Sequence, residues 1–336
     1  MELPAFQTPI ALLIFKRPKT TSKVLEVLRQ IRPVTLLVIS NLPPENKPDQ
    51  LKQCQETRAL IDQIDWPCRV LKNYAETYLS CKERISSGLN WVFETVDRAI
   101  ILEDDCIPDL TFFQYCEELL DRYAEDERVM AITGDNFNIP PRQPQYSYFF
   151  SRHTQFWGWA TWRRAWQYYD ITMRLLPEFL EAGWLSEMFQ EPAAIRWWEK
   201  TLQEVYSGQK DTWDYQWDFS CWIRGAACIV PRINLVSNIG FDKDAAHNRD
   251  AFDWRANLPT SPIELPLKHP PFVRIDEQCD RILQKRYYGY IAQKQTRPLN
   301  YRVTRKLYRA KMLLADFRQQ PTWKDLPNLI KTMVKE

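Results

Sequence analysis

The chain has 336 residues, 45% of them hydrophobic, and a formal net charge of +2. This length and composition suit one large packed domain or two smaller ones, and no apolar run reaches the ~18 residues that a membrane-spanning helix needs. The eight glycines form no glycine-rich phosphate loop and no nucleophile elbow. This disfavours dinucleotide dehydrogenases, P-loop kinases, sugar nucleotidyltransferases and α/β-hydrolases.

Cysteine and histidine usage limits the kinds of metal site. The chain has eight cysteines, no Cys-x-x-Cys pair and three histidines. This pattern predicts reduced thiols that fill the core, and it argues against a zinc site or a His-rich metal site. Because Glu2 interrupts residues 1–8, we do not expect a signal peptide there and predict a cytoplasmic location.

The first part of the chain alternates between apolar, strand-like runs and amphipathic, helix-like segments. The alternation predicts an α/β fold with a mostly parallel, Rossmann-like sheet flanked by helices. The predicted strands are residues 9–15, 34–39, 69–72, 99–102 and 129–133. The predicted helices are residues 19–32, 51–64, 79–96 and 110–123.

The composition changes after a proline-containing loop at residues 136–146. Ten of the fourteen tryptophans lie within residues 151–222. The predicted helices of this second part are residues 159–169, 187–206 and 214–224. A proline-rich stretch follows, which we expect to run over the surface at residues 255–278, and the predicted basic helices of the tail are residues 297–317 and 323–334.

One predicted strand runs directly into three acids, Glu103, Asp104 and Asp105. Ligands of open α/β sheets bind at the carboxyl ends of the strands. Three carboxylates at such a point repel one another unless a positive charge lies among them. Since hard oxygen ligands suit Mg²⁺ and Mn²⁺, the triplet predicts a divalent-cation site. A solvated acidic turn is the alternative.

A second acidic segment lies among aromatic residues at positions 211–218. Asp211 or Thr212 could cap a helix there. Asp214 is a candidate general base, because aromatic neighbours would partly desolvate its carboxylate and raise its pKa.

The tryptophans have two interpretations. Most are expected in the core, since an indole buries a large area and needs one hydrogen bond. Trp157 and Trp159 are the candidates for stacking on a sugar ring, and Gly158 between them allows a ligand to approach the backbone closely.

Cationic side chains supply candidate contacts to a diphosphate. Arg17 follows the first strand, while Lys82 and Arg84 lie on the third predicted helix. An ordinary surface position is the alternative for each. His247, in a polar loop, is either solvated or a metal ligand or phosphate contact that comes from late in the chain.

Four segments, taken in order, resemble a known family of enzymes. They are residues 10–18, 101–105, 156–159 and 213–214. Their motifs are similar to those of GT-A fold glycosyltransferases, above all the inverting N-acetylglucosaminyltransferase of N-glycan maturation and its bacterial relatives. The resemblance covers residues 9–250.

The resemblance implies a UDP-sugar donor and a Mn²⁺ (or Mg²⁺) cofactor. It implies that Asp105 binds the metal, that Asp104 contacts the ribose and Glu103 the sugar, and that Asp214 deprotonates the acceptor hydroxyl. Asn41 stands where the family places an aspartate against uracil, so an amide would meet the base edge. The aromatic motifs imply an acceptor-binding region at Trp157, Gly158, Trp159 and Trp213.

The same resemblance divides the chain. Residues 1–136 would bind the nucleotide sugar, and residues 137–254 would form the acceptor-binding, catalytic half of the same domain. Residues 255–336, a connection and a basic tail, have no clear counterpart beyond position 280. A retaining transferase, a glycoside hydrolase and a non-catalytic carbohydrate-binding protein remain alternatives.

Charge is unevenly distributed along the chain. Residues 281–336 hold 14 Lys and Arg against 3 Asp and Glu, so the remainder carries a net charge of −9. Either the tail packs on the acidic body, or it makes peripheral contact with the inner membrane face near a lipid-linked acceptor. We expect a nucleotide-sugar donor and a glycan or lipid-linked acceptor as partners, and no nucleic acid.

Overall fold

The computed structural model describes residues 5–241 and 253–296. The chain divides into two compact units, residues 1–283 and 284–336, and the first contains every described strand. His247 and the predicted tail helices lie outside the described residues. No described helix is both long and apolar enough to cross a lipid bilayer.

A single eight-stranded sheet forms the centre of the first unit. Its strands are β1 (Ile10–Ile14), β2 (Thr35–Ser40), β3 (Arg69–Tyr74), β4 (Arg98–Glu103), β6 (Val129–Thr133), β7 (Tyr148–Ser151), β8 (Trp159–Trp162) and β9 (Ala227–Pro231). Their order is β3-β2-β1-β4-β8-β6-β9-β7. Only β8 and β7 run against the other strands. The small strands β5 (Cys106–Pro108) and β10 (Val236–Asn238) pair antiparallel beside it.

Ten helices lie in the described part of the chain. They are α1 (Pro18–Ile31), α2 (Pro48–Ile61), α3 (Cys81–Thr95), α4 (Thr111–Arg122), α5 (Arg163–Trp166), α6 (Leu176–Glu181), α7 (Trp184–Met188), α8 (Pro192–Tyr206), α9 (Asp214–Ile223) and α10 (Glu277–Thr296). Both α3 and α4 contact strands of the large sheet. The predicted fold class, a mostly parallel α/β sheet flanked by helices, is confirmed.

Local chemistry explains where the early elements begin. The apolar strands β1 and β4 lie at the centre of the sheet, and residues 10–14 and 99–102 are buried. A proline occupies the first turn of α1, where its missing N–H costs nothing. Helix α3 begins with a capping box, in which Ser80 and Glu83 bond to each other's backbone N–H.

Two helix predictions in the tryptophan-rich part are wrong. Residues 159–162 form strand β8 rather than the start of a helix. All four residues of this strand are buried and three of them are apolar, so periodicity cannot separate strand from helix. The predicted helix at 187–206 is two helices, because Pro192 begins a new one. Helix α9 is confirmed within one residue of its predicted end.

The proline-rich stretch at 255–278 is mostly exposed, in line with the prediction that it runs over the surface, but two of its side chains reach the core. Ile263 and Leu267 belong to the main core. The backbone N–H of Ile263 donates to Thr111 Oγ1, and that of Lys268 donates to Ser147 Oγ. The prediction of reduced cysteines is confirmed, since all eight are free and most are buried.

Candidate functional site

The mixed direction of the sheet brings most predicted site segments to one edge. The parallel strands β1, β4 and β6 end there, and the antiparallel strand β8 begins there. Trp159 therefore pairs with Ile101 of β4 and with Thr133 of β6. Gly158 precedes it with a φ of 73°, a conformation that favours glycine, and a Cβ at Gly158 would lie 2.7 Å from a methyl group of Val236.

The chain itself supplies a positive charge to the acidic tip of β4. Arg17, just after β1, places its Nη1 2.5 Å from Asp105 Oδ2. Its Nη2 donates to the carbonyl oxygen of Gly240 at 2.7 Å. Asp104 Oδ2 accepts a hydrogen bond from the backbone N–H of Phe15 at 3.0 Å. Arg17 thus offsets part of the repulsion for which a divalent cation is predicted.

The segment after β10 closes over Asp105, which sequence reasoning did not anticipate. Asn238 donates to Asp105 Oδ1 at 3.3 Å and accepts from the N–H of Gly240 at 2.8 Å. A Cβ on Gly240 would lie 1.8 Å from Asp105 Oδ2. Position 240 therefore has to be glycine if Asp105 and Arg17 are to keep this arrangement.

Asp214 lies close enough to Glu103 for its charge to affect the pKa of Glu103. Burial raises the pKa of Glu103 well above its usual range, and the charges of Asp105, Asp104 and Asp214 add to this rise. The carboxylate of Glu103 makes no hydrogen bond or ion pair with the described residues. The tip of β4 and the start of α9 therefore share one site.

One oxygen of Asp214 is engaged and the other is open. Oδ1 accepts hydrogen bonds from Thr212 Oγ1 and from the N–H of Tyr215. Oδ2 forms no hydrogen bond within the described residues. The residue is partly exposed.

Trp159, the first residue of β8, packs in the core against Trp213, the residue that precedes Asp214. Their rings stack with centroids 5.6 Å apart, and Phe156 packs on Trp213 at 4.8 Å. Trp159 is only 1% exposed and Trp213 only 5%. Both rings are thus buried and pack on other aromatic residues of the protein.

Trp157 is the partly exposed member of the aromatic segment. Its ring meets Phe137 and Phe241 edge-on, and the guanidinium of Arg255 lies 5.6 Å from its centroid. Its backbone N–H donates to Asp135 Oδ2 at 3.0 Å. Among the tryptophans predicted to bind an acceptor, Trp157 alone keeps a partly exposed ring.

Two predicted donor contacts have structural partners instead. Arg84 is buried and donates to the backbone carbonyl of Asn73, at the end of β3, at 2.9 Å. Asn41 donates to the carbonyl of Leu79 and accepts from the N–H groups of Leu42 and Leu79. The oxygen of the Asn41 amide is therefore engaged by two backbone N–H groups, and its nitrogen donates one hydrogen bond to the backbone. Lys82 remains partly exposed.

The fit of a metal to this site is limited. Within residues 5–241 and 253–296, no three His, Cys, Asp or Glu side chains are grouped to hold an ion. Asp105 supplies a hard carboxylate of the kind that Mn²⁺ and Mg²⁺ accept. A cation at Asp105 would need most of its ligands from a bound diphosphate and from water, as is common for Mg²⁺.

Asp218, one helical turn after Asp214, is a group that sequence reasoning missed. Its Oδ1 accepts hydrogen bonds from the backbone N–H and the hydroxyl of Thr154. Burial raises the pKa of Asp218 to about 8, and the charge of Asp214 contributes. Asp218 is four residues after Asp214, and this spacing predicts that both lie on the same face of α9.

No protein-family model matches the chain, and no curated protein sequence matches it. Solved structures similar to it include apo xyloside xylosyltransferase 1 of mouse, at 12% identity and a TM-score of 0.34, covering 64% of this chain and 81% of that chain. A cytidylyltransferase of Leptospira borgpetersenii shows 9% identity and a TM-score of 0.28, over 48% of this chain and 63% of that chain, less than two thirds of its length. A 4-diphosphocytidyl-2C-methyl-D-erythritol synthase of Anaerococcus prevotii shows 9% identity and a TM-score of 0.27, over 47% and 71%. Similarity at this level assigns neither a family nor an activity to the chain.

Proposed function

We propose that the protein is a nucleotide-sugar-using glycosyltransferase of the GT-A class, which transfers a sugar from a UDP-sugar to an acceptor hydroxyl with inversion. The observation that carries the proposal is that two sets of carboxylates lie close together at one edge of the sheet. One is the acidic tip of β4, partly neutralised by Arg17, and the other is Asp214 with its open Oδ2.

The donor side of the proposal uses residues at the ends of β1 and β4. Glu103 and Asp104 contact the sugar and the ribose, while Arg17 and Lys82 face the diphosphate. A divalent cation, Mn²⁺ or Mg²⁺, would be held by Asp105 and would make the diphosphate a better leaving group. Arg17 exchanges part of its contact with Asp105 for the diphosphate, since guanidinium binds either anion well.

The acceptor side of the proposal uses Asp214. The acceptor oxygen attacks the anomeric carbon, Asp214 takes the hydroxyl proton, and the nucleoside diphosphate leaves with the electrons of the broken C–O bond. Direct displacement of this kind inverts the anomeric centre. Trp157 offers a ring face to the acceptor, while the buried aromatic residues behind it exclude water from the site.

Nucleotide-dependent stabilisation tests the donor assignment. We expect UDP and Mn²⁺ together to raise the melting temperature more than either does alone, because ligands that bind only the folded state stabilise it. Titration across nucleotide sugars would then identify the donor. A glycoside hydrolase or a carbohydrate-binding protein would show no shift with the nucleotide, and that result would contradict the proposal.

The product decides the stereochemical course. We expect NMR of the purified product to show an anomer opposite to that of the donor, and EDTA to abolish its formation. Retention of the donor anomer would remove Asp214 from the role of base, whereas a fully active EDTA-treated enzyme would remove the metal.

A further inference from the structure

Asp211 ties together two distant parts of the chain. It lies in the turn between α8 and α9, and its carboxylate reaches the first turn of α3. Oδ2 accepts from the N–H of Cys81 at 2.8 Å, and Oδ1 accepts from the N–H of Lys82 at 2.9 Å. Asp211 therefore does cap a helix, but that helix begins 130 residues earlier in the chain.

Helix α3 already has its own cap. Ser80 Oγ accepts from the N–H of Glu83, and Glu83 Oε2 accepts from the N–H of Ser80. The capping box leaves the N–H groups of Cys81 and Lys82 without a partner from their own helix. Asp211 supplies that partner from the turn between α8 and α9, with two charge-assisted hydrogen bonds, which are stronger than neutral ones.

The residues that directly follow Asp211 contact or precede the proposed base, Asp214. Thr212, the next residue, donates its hydroxyl to Asp214 Oδ1. The following residue, Trp213, stacks on Trp159. The charges of Glu103, Asp211 and Asp214 all act on the thiol of Cys81, so these four side chains lie in one neighbourhood.

We propose that Asp211 is a positioning residue, whose two hydrogen bonds to the first turn of α3 hold Asp214 at its working distance from the acidic tip of β4. The inference rests on the proposed function, because it assigns Asp211 through Asp214. A displacement of about 1 Å at a reacting group can cost about 100-fold in rate. Asp211 holds the backbone N–H of Lys82 and not its side chain, so loss of the tie affects the chemical step more than donor binding.

Kinetics of three full-length variants test the tie. We expect Asp211→Ala to lower kcat about 10- to 100-fold with the donor KM changed less than about threefold. Asp211→Asn keeps one acceptor oxygen and should fall between this variant and the wild type. Ser80→Ala removes only the local cap, so it should lower the melting temperature and leave kcat near the wild-type value.

Asp276→Ala is the matched control. One oxygen of Asp276 accepts from the N–H groups of Gln278 and Cys279 at the start of α10, beside the edge strand β7. This variant loses a comparable helix cap, but one that lies away from the acidic tip of β4 and from Asp214. Equal loss of kcat in Asp276→Ala and Asp211→Ala, or unchanged kcat in Asp211→Ala, would overturn the proposal.

Hydrogen exchange provides a readout that needs no substrate. In Asp211→Ala, amides of residues 79–84 and of residues 208–216 should both exchange faster, whereas Ser80→Ala should affect only the first segment. Unchanged exchange over 208–216 in Asp211→Ala would refute the tie. If the wild type transfers no sugar at all, the proposed function fails, and this exchange experiment still decides whether Asp211 holds the start of α9.

Discussion

The acidic side chains at this edge of the sheet differ in their polar contacts. Asp105 is engaged by Arg17 and Asn238, Asp214 keeps one oxygen open, and Glu103 makes no described polar contact. An open, partly exposed oxygen is what a general base needs, whereas a paired carboxylate suits binding. The contacts therefore distinguish Asp214 from the acids at the tip of β4, a distinction that the sequence does not make.

Replacement of Asp214 tests its role as base. We expect Asp214→Asn to lower transfer at least 100-fold, because the amide keeps the size and the bond from Thr212 but cannot take a proton. UDP-dependent thermal stabilisation should stay at the wild-type level. Full transfer activity in Asp214→Asn would exclude it as the base, and a loss of UDP binding would assign it to the donor instead.

Gly240 should tolerate no side chain. In Gly240→Ala the new Cβ would meet Asp105 Oδ2 and the guanidinium of Arg17, so both must move. We expect loss of the stabilisation by UDP with Mn²⁺, measured by thermal shift. Gly208→Ala is a control, because nothing lies within 4 Å of its Cβ, even though its own φ of 75° is positive. Normal UDP and Mn²⁺ binding by Gly240→Ala would contradict this account of Asp105.

Asp218 should make stability depend on pH. Its folded-state pKa is about 8, above the unfolded value of about 3.9, so the folded state binds more protons between these two values. Its contribution to the free energy of unfolding therefore falls as pH rises from about 4 to 8, by at most about 1.4 kcal/mol per pH unit. In urea unfolding, Asp218→Asn should gain on the wild type across this window.

Asp126 provides a control of opposite sign. Its hydrogen bond from Arg128 lowers the pKa of the carboxyl, so its stabilisation is present above the unfolded pKa and is lost as pH falls through the folded one. For Asp126→Asn, the difference from the wild type should change only below about pH 4. A constant difference between Asp218→Asn and the wild type from pH 4 to 8 would show that Asp218 does not titrate as described.

At the scale of elements, strand β8 joins the two parts of the site. It pairs with β4 on one side and β6 on the other, and its first residue, Trp159, supports Trp213 ahead of α9. The tryptophans were expected to be divided between core and sugar binding. Trp159 lies on the core side of this division, and Trp157, two residues earlier, keeps an exposed part of its ring.

Alanine at these two tryptophans should separate stability from acceptor binding. Trp159→Ala should lower the free energy of unfolding by about 3–5 kcal/mol, because it empties a fully buried site. Trp157→Ala should cost less stability but raise the acceptor KM about tenfold, which corresponds to about 1.4 kcal/mol. Urea unfolding and acceptor titration measure the two effects. An unchanged acceptor KM in Trp157→Ala would remove Trp157 from the acceptor site.

At the scale of the whole molecule, charge is separated along the chain rather than balanced locally. The last 56 residues carry a net charge of +11, against −9 for the remainder. Such a segment is attracted to anionic lipid, with about 1 kcal/mol per basic residue near the surface. We therefore propose that residues 281–336 make the peripheral membrane contact.

Vesicle flotation of the full chain tests this contact. We expect co-flotation with anionic vesicles at low salt, little with neutral vesicles, and release near 1 M salt, where screening is strong. Reversal of Arg302, Arg305, Lys306 and Arg309 to Glu should abolish it. Reversal of four exposed lysines elsewhere, Lys19, Lys23, Lys52 and Lys200, is the control of equal charge. Equal flotation of the two variants would exclude the tail as the anchor.

The sequence by itself determined the α/β class, the acidic tip of β4, the basic side chain of Arg17 after β1 and an aspartate at the start of α9. These features depend on apolar runs and on residues adjacent in the chain, so local patterns reveal them. Only the tertiary structure decided that Arg17 pairs with Asp105, that Gly240 closes over it and that Asp211 caps α3. It also decided that β8 is a strand and that Arg84 and Asn41 are already engaged. Each of these depends on contacts between residues far apart in the chain, which no local pattern encodes.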